Sequence, residues 1–271
     1  MIIAQVTDTH IRVPGKLAYG VVETAGYLER AIAAVNALDP LPDVLAMTGD
    51  LVDFGMSEEY ERLKALLAPA RMPVLLIPGN HDEREAMRDA FADHKYLPRS
   101  GFLQFAVEDF PVRIVGLDSV IPGKGGGTLC RERLEWLDRT LAAAPRKPTV
   151  LLIHHPPFPT FIEHMDRGGL DARDGLAAVV ARHPQVERVL CGHLHRAIQA
   201  RFAGTIASTA PSPAHQVALD LRPGGPSAFT MEPPAYQLHA WQEGAGIISH
   251  LGFIGRFDGP FPFFKDGKLI G

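Results

Sequence analysis

Short apolar runs alternate with longer amphipathic segments through the first two-thirds of the chain. Each run has four or five residues and predicts a strand that is covered on both faces of its sheet. The predicted strands span residues 2–6, 44–47, 74–77, 113–117, 150–153 and 186–190. The segments between them predict helices over residues 24–38, 57–67, 83–91, 131–143 and 172–182. This alternation is typical of a layered α/β fold.

After residue 197 the pattern changes to short strands separated by glycine and proline. These strands are predicted over residues 198–202, 205–208, 215–220, 228–231 and 236–241. Residues 252–264 then form a tail rich in phenylalanine, glycine and proline. We predict that residues 216–271 complete the core of the domain formed by residues 1–215. The tail either packs on its own core or covers a neighbouring subunit. The second alternative would make the protein a homo-oligomer, because exposed aromatic patches usually bind partners.

The composition is that of an ordinary globular protein. The chain has 271 residues, of which 46% are hydrophobic and 21% charged, and its formal net charge is −4. This charge gives no support for binding a nucleic-acid polymer, which needs a basic face to neutralise phosphates. No apolar run approaches the roughly 20 residues that cross a bilayer, and the two cysteines fit a reducing compartment. We therefore expect a cytoplasmic protein that does not bind membranes.

Five short polar segments stand at or just after the ends of apolar runs. They are Asp8-Thr9-His10, Gly49-Asp50, Gly79-Asn80-His81-Asp82, His154-His155 and Gly192-His193-Leu194-His195. An α/β sheet brings the ends of its strands to one edge, so these carboxylate, imidazole and amide groups are expected to meet there. Such groups bind transition metals, and one carboxylate can bridge two cations. The set therefore predicts a dinuclear metal centre.

Each segment alone has a simpler interpretation. An isolated Gly-Asp or Asn-His pair is common in turns, and only the occurrence of all five segments favours metal binding. Asp8 and His10 would face the same side if the first strand continued through them. Neighbouring strand residues point in opposite directions, so only one of His154 and His155 is expected to bind metal. We choose His154, and we assign His155 a structural or supporting role.

The five segments occur in the order and form that characterise one family. The sequence resembles the calcineurin-like metallophosphoesterase superfamily, whose motifs are D-x-H, G-D, G-N-H-[DE], H and G-H-x-H, and the resemblance spans residues 8–195. It implies a four-layer α/β/β/α sandwich with a catalytic domain over residues 1–215 and a small β-rich, aromatic C-terminal extension. It also implies two metal ions per subunit, in combinations of iron, manganese or zinc. The mixed nitrogen and oxygen ligands accept cobalt as well.

The resemblance further implies which residues hold each metal ion. One site would comprise Asp8, His10, Asp50 and His195, and the other Asp50, Asn80, His154 and His193, with Asp50 bridging. Two cations and their ligands would together keep a net positive charge, which attracts a phosphate ester. The reaction would be attack of a metal-bound hydroxide on phosphorus, in line with the leaving oxygen. His81 is the catalytic candidate, either binding the phosphoryl oxygens or protonating the leaving alkoxide. Asp82 either orients His81 or only begins a helix.

Comparison with groups within this superfamily narrows the choice of substrate. Serine/threonine protein phosphatases of this superfamily carry G-D-x-V-D-R-G, and Phe54 stands here in place of their phosphate-clamping arginine. The spacings instead resemble bacterial class III cyclic nucleotide phosphodiesterases, and within that group the glycerophosphodiesterases. This resemblance includes a glycine-bounded loop that contains Lys16 and Tyr19, and a T-x-x-x-H-Q-like segment over residues 209–216. The candidates for substrate binding are Asn80, His81 and His215.

The sequence therefore predicts a metal-dependent phosphoric diester hydrolase that acts on small phosphodiesters, namely cyclic nucleotides or glycerophosphodiesters. A phosphomonoesterase or a nucleotide pyrophosphatase built on the same site is the enzymatic alternative. A noncatalytic binding module with the same fold is a third possibility, against which the presence of Asp8, Asn80 and His193 argues. A nuclease is disfavoured because the chain has no basic tract.

Overall fold

The computed structural model describes residues 1–270. The helices are α1 (Thr24–Asn36), α2 (Ser57–Leu67), α3 (Arg84–Ala90), α4 (Arg131–Ala143), α5 (Glu163–Asp166) and α6 (Arg173–Val180). None of the helices formed by these 270 residues is long and apolar enough to cross a membrane. The strands are β1 (Ile2–Val6), β2 (Val44–Thr48), β3 (Val74–Ile77), β4 (Phe105–Val107), β5 (Arg113–Gly116), β6 (Thr149–Leu152), β7 (Val186–Cys191), β8 (Ile198–Phe202), β9 (Thr205–Thr209), β10 (Gln216–Val217), β11 (Phe229–Thr230), β12 (Ala235–Gln242), β13 (Gly246–Phe253), β14 (Phe264–Lys265) and β15 (Lys268–Leu269).

Two large sheets place their parallel strands side by side. The first sheet has the order β13-β12-β1-β2-β3, and the second has the order β4-β5-β6-β7-β9-β8. Strands β1, β2 and β3 are parallel to one another, as are β5, β6, β7 and β9. Parallel strands deliver their carboxyl ends to a common edge. Each sheet therefore has one edge at which the residues that follow its parallel strands are neighbours.

The sheets and helices form four layers. One hydrophobic core joins both sheets, through residues such as Met47 of β2 and Ile114 of β5, and also contains Leu28 of α1. A second core packs Leu137 of α4 together with Leu151 of β6. Each fully buried leucine contributes about 1.5–3 kcal/mol to folding, so these apolar faces hold the layers together. The predicted α/β/β/α sandwich is confirmed.

The C-terminal strands complete the first sheet. β12 pairs antiparallel with β1, and β13 pairs with β12 and forms the edge of the sheet. The predicted strand over residues 215–220 was too long, because only Gln216–Val217 forms a strand there. The sequence pattern missed β13, since most of its side chains are exposed or half-buried and it lacks a continuous apolar face.

The phenylalanine-rich tail stays on the outside of the molecule. Phe257, Phe261 and Phe263 are 69%, 75% and 80% exposed, and the short β14–β15 pair that follows is exposed as well. At the start of the tail Ile254 is buried in the first core, whereas these phenylalanines lie outside it. Exposed phenylalanine at this density is unusual for a free surface, because isolated soluble chains rarely present large contiguous apolar patches.

Candidate metal centre

The polar segments at the strand ends converge between the two sheets. Asp8 follows β1, Asp50 follows β2 and Asn80 follows β3, all in the first sheet. His154 follows β6 and His193 follows β7 in the second sheet. The main-chain nitrogen of His193 donates to the Asp8 carboxylate, at 3.0 Å from Oδ1 and 3.1 Å from Oδ2. The two sheets are thus joined directly at the site.

Most of the candidate ligands have an unusual backbone conformation. Left-handed φ angles occur at Asp8 (54°), His10 (42°), Asp50 (48°), His193 (72°) and His195 (52°). Such a conformation costs a non-glycine residue about 1–3 kcal/mol, and it persists where the surrounding structure enforces it, often at functional sites. β1 does not continue through the first segment, so the two side chains are not placed by strand geometry. The strand ends at Val6, and tight turns bring the side chains of both Asp8 and His10 into the site.

One group of donors surrounds the carboxylate of Asp8. His195 Nε2 lies 3.4 Å from Asp8 Oδ1 and 3.3 Å from His10 Nε2. Asp50 Oδ2 lies 3.7 Å from the same His10 nitrogen. These four residues are the ones assigned to the first metal ion, and the ligand atoms of Asp8, His10 and Asp50 lie within 4.8 Å of one another.

A second group shares Asp50 with the first. Asp50 Oδ2 lies 3.4 Å from His154 Nε2, which in turn lies 3.2 Å from Asn80 Oδ1. The His193 ring lies beside that of His154, with 5.1 Å between their centroids. Asp50 therefore stands between the two groups, where a carboxylate that bridges two cations would stand.

Three of the imidazoles are held from behind by oxygen acceptors. The Nδ1 atoms of His10, His154 and His195 lie 3.2 Å from Asp53 Oδ1, 2.8 Å from the Thr48 carbonyl and 3.0 Å from the His215 carbonyl, respectively. Since these oxygens accept hydrogen bonds, each Nδ1 carries a proton, and Nε2 is the nitrogen with which each ring would bind a metal ion. This is the usual arrangement of histidines that bind metal.

The buried groups form a donor set that suits cations. Burial raises the pKa of Asp8 to about 6 and lowers the pKa of His193 to about 3. Burial also opposes ionisation of Asp50, but nearby histidines, His154 first among them, hold the pKa of its carboxyl well below the usual range. Asp50 in return raises the pKa of His154 to about 9 against the effect of burial. Within residues 1–270, His193 Nε2 is buried without a hydrogen-bond partner. These residues fit two metal ions.

The neighbouring His155 has both of its nitrogens engaged. Its Nε2 lies 3.2 Å from the Gly125 carbonyl, and its Nδ1 lies 2.8 Å from Ser119 Oγ. A carbonyl can only accept, so Nε2 carries the proton and the Ser119 hydroxyl donates to Nδ1. Distance alone would group His155 with His154 and His193 as metal ligands. Its hydrogen bonds instead leave no lone pair for a metal ion.

His81 lies beside the two donor groups, with its side chain 32% exposed toward the pocket. Its Nδ1 donates to the Asp53 carbonyl at 2.8 Å. The carboxylate of Asp82 accepts hydrogen bonds from the main-chain nitrogen of Gly79 and the hydroxyl of Tyr60, both at 2.8 Å, and so braces the loops around the site. Asp53 has no motif of its own and was not predicted from the sequence. Its carbonyl accepts from His81, and its carboxylate holds the candidate metal ligand His10.

Two glycines allow the segments to come this close. A Cβ atom at Gly79 would overlap the main-chain nitrogen and the carboxylate of Asp50. At Gly49, which has a φ of 92°, it would lie 2.5 Å from His154 Nδ1. The glycines of these motifs are thus required by contact between neighbouring candidate ligands, in addition to the turn that Gly49 makes.

Known proteins share this sequence pattern. Residues 1–197 match the family model described as calcineurin-like phosphoesterase. The chain belongs to this family. It is 44% identical over 272 residues to a probable glycerophosphodiester phosphodiesterase GpdQ of Arcobacter nitrofigilis, and the match covers 100% of both chains. It is 33% identical over 210 residues to the 3′,5′-cyclic adenosine monophosphate phosphodiesterase CpdA of Escherichia coli, covering 78% of this chain and 75% of that one.

The fold also matches that of a solved relative. A dimetal phosphatase from Danio rerio superposes with a TM-score of 0.62 and 14% sequence identity, covering 94% of this chain and 99% of that one. At this identity the likeness concerns the fold alone. The expectation of a calcineurin-like phosphoesterase is confirmed by the family match.

A cavity of about 770 Å³ opens over the candidate metal centre of this phosphoesterase. Tyr19, His215 and Phe229 form an aromatic wall, with ring centroids 5.1–5.2 Å apart. His215 is buried, and burial lowers its pKa to about 3. Arg167 also lines the cavity, whereas Lys16 is exposed. The volume lies within the range of small-molecule sites and leaves room for substituents on a bound phosphate.

Proposed function

We propose that this protein is a dinuclear metal-dependent phosphodiesterase that hydrolyses small phosphodiesters, either cyclic nucleotides or glycerophosphodiesters. The proposal rests on the position of Asp50 between two groups of donors beneath a large pocket. One metal ion would be held by Asp8, His10, Asp50 and His195, and the other by Asp50, Asn80, His154 and His193. When bound, the two ions would supply positive charge toward the phosphate and lower the pKa of water at the site.

The surrounding residues would bind and orient the substrate. His81 donates through Nδ1 to the Asp53 carbonyl, so Nε2 is its remaining ring nitrogen. In the doubly protonated imidazolium form, Nε2–H would bind a phosphoryl oxygen or give its proton to the leaving oxygen. The Asn80 amide and the wall that contains His215 border the same cavity. Substituents of the phosphodiester would lie against this wall. This supports the assignment of Asn80 and His215 to substrate binding.

The names of the relatives favour a diester over the alternative substrates. One is a probable glycerophosphodiester phosphodiesterase, and another is a 3′,5′-cyclic adenosine monophosphate phosphodiesterase. A nucleic-acid polymer is not proposed, because the net charge of −4 offers no basic surface. Mixed nitrogen and oxygen donors accept iron, manganese, zinc or cobalt, and these are the metals we propose.

Metal removal and a substrate panel test the proposed function. Chelator-treated protein is expected to lose hydrolysis, and manganese, zinc, iron or cobalt is expected to restore it. The panel would comprise 3′,5′-cAMP, 2′,3′-cAMP, glycerophosphoethanolamine, bis(p-nitrophenyl) phosphate and p-nitrophenyl phosphate. We expect kcat/KM for the best diester to exceed that for the monoester by about tenfold or more. Faster monoester cleavage would favour a phosphomonoesterase, and hydrolysis unaffected by chelation would contradict the metal centre.

We also propose that the protein is a homo-oligomer that buries the phenylalanine-rich tail. The tail lies next to the exposed edge strand β13, where Ile248 and Phe253 are 50% and 51% exposed, and edge strands of this kind pair readily with another chain. Light scattering on the purified protein should give a multiple of the mass of one chain. The double variant F261S/F263S should shift that mass downward. A monomeric wild-type protein would refute the proposal.

A cytoplasmic location is the remaining part of the proposal. Cys130 is exposed, Cys191 is buried, and both are free thiols, as expected in a reducing compartment. Cell fractionation would check this location, and recovery of the native protein from a secreted fraction would contradict it.

A further inference from the structure

A glycine-rich loop forms one wall of the pocket. Residues 121–127 contain four glycines, and Gly125 and Gly126 line the cavity. Glycine loses more conformational freedom on folding than any other residue, so a loop of this composition keeps a single shape only where other groups hold it. The residue that holds this loop from beneath is His155.

His155 is completely buried and connects two points of the chain around the loop. Its Nδ1 accepts from the hydroxyl of Ser119, which precedes the loop, at 2.8 Å. Its Nε2 donates to the carbonyl of Gly125, within the loop, at 3.2 Å. A Cβ atom at Gly127 would overlap the imidazole ring, so the loop backbone lies directly on the ring. Both polar and steric contacts therefore set the position of the loop.

The opposite side of the same ring packs on the metal centre. The His155 centroid lies 4.8 Å from that of His193 and 4.9 Å from that of His154. One imidazole thus determines how far the pocket wall stands from the second donor group. A smaller side chain would leave a gap between them, and the glycine loop has little side-chain bulk with which to fill it.

The loop in turn holds a second part of the wall. Gly127 donates from its nitrogen to the Gly169 carbonyl at 3.1 Å, and its carbonyl accepts from the Asp171 nitrogen at 2.9 Å. These bonds pair the loop with residues 162–171, which place His164 and Arg167 along the cavity. The two segments therefore form one wall that depends on His155.

We propose that His155 is a positioning residue that holds this wall against the ester group that stays on phosphorus during hydrolysis. The inference rests on the proposed phosphodiesterase function. His81, the candidate proton donor, lies beside His10 of the first donor group, with 4.6 Å between their centroids, so the leaving oxygen is placed on that side. The wall lies beside the second donor group and is therefore available to the ester group that remains.

Two diesters with the same leaving group test this proposal. Bis(p-nitrophenyl) phosphate and methyl p-nitrophenyl phosphate both release p-nitrophenolate and differ only in the group that remains. His155→Asn keeps an acceptor for the Ser119 hydroxyl, but its side chain is too short to donate to the Gly125 carbonyl. His155→Gln is one carbon longer, so its amide nitrogen extends as far as Nε2 of the histidine and can donate to that carbonyl. We expect His155→Asn to raise KM for the larger diester about tenfold and KM for the methyl diester less than about threefold. His155→Gln should recover most of the loss.

Controls separate this role from a general structural one. Metal content and circular dichroism should match those of the wild-type protein, and His94→Gln, at a half-buried histidine that packs on Phe91 and Tyr96, should alter neither KM. Equal increases in KM for both diesters, equal effects of the Asn and Gln variants, or loss of metal would overturn the proposal. If the metal-loaded wild-type protein cleaves neither diester, the proposed function fails instead.

A spectroscopic measurement tests the contact without turnover or substitution. In zinc-loaded wild-type protein, the ¹⁵N shifts of His155 should show a protonated Nε2 and an unprotonated Nδ1, as donation to the Gly125 carbonyl requires. A proton on Nδ1 would mean that this hydrogen bond is absent, and the proposal would then be wrong.

Discussion

Asp50→Ala is expected to lower kcat/KM for bis(p-nitrophenyl) phosphate by about 1,000-fold or more, which corresponds to roughly 4 kcal/mol. Asp50 Oδ2 lies 3.7 Å from His10 Nε2 and 3.4 Å from His154 Nε2, while Oδ1 accepts from the main-chain nitrogen of His81 at 2.9 Å. Removal of this carboxylate deprives both donor groups of an oxygen ligand at once. Steady-state kinetics, together with metal analysis of the same samples, would measure the effect.

Two further variants determine whether charge or shape is responsible. Asp50→Asn keeps the shape of the side chain but removes its charge, so it should also bind less metal and lose most of the activity. Asp109→Ala removes an exposed carboxylate from a loop and should behave like the wild-type protein. If Asp50→Ala kept full metal content and more than about a tenth of the activity, the bridging assignment would be wrong.

His81→Ala is expected to separate substrates according to their leaving group. With 3′,5′-cAMP or glycerophosphoethanolamine, the leaving alkoxide needs a proton, and loss of a positioned acid typically costs about 100-fold to 10,000-fold. With bis(p-nitrophenyl) phosphate the leaving phenolate is stable without one. We therefore expect a loss in kcat of at least about 100-fold for the alkyl esters and less than about tenfold for the aryl ester.

The same experiment distinguishes the two roles that His81 can have. An equal loss with both kinds of leaving group would show that His81 binds the phosphoryl oxygens and does not donate the proton. Unchanged turnover with either kind would exclude it from the reaction. His94→Gln serves again as the control for a histidine substitution, because it lies outside the lining of the cavity.

Much of the fold follows from local sequence because the first strands are buried on both faces. The six strands predicted in the first two-thirds of the chain occur within one residue of the expected bounds, and α2 begins at Ser57 with Glu58 and Glu59 in its first turn. Burial on both faces produces an unbroken apolar run, which is a local pattern. The edge strand β13 has no such pattern, since its place depends on pairing with β12.

The candidate site was predictable in residue type but not in geometry. The five motifs identify carboxylate, amide and imidazole donors, yet left-handed turns at Asp8 and His193 determine where those donors point. Asp53 was missed because its role is to hold His10 through one carboxylate oxygen and His81 through its carbonyl. Any residue type can offer its main-chain carbonyl, so a contact of this kind cannot be recognised from the sequence.

The sequence by itself determined the layered α/β architecture, the family and the set of candidate metal ligands, because burial periodicity and ligand chemistry depend on residue type and order. Only the tertiary structure decided that Asp50 stands between two donor groups, and that His155 has both nitrogens engaged by Ser119 and Gly125. Those facts depend on distances and hydrogen-bond directions between segments far apart in the chain, which residue order does not specify.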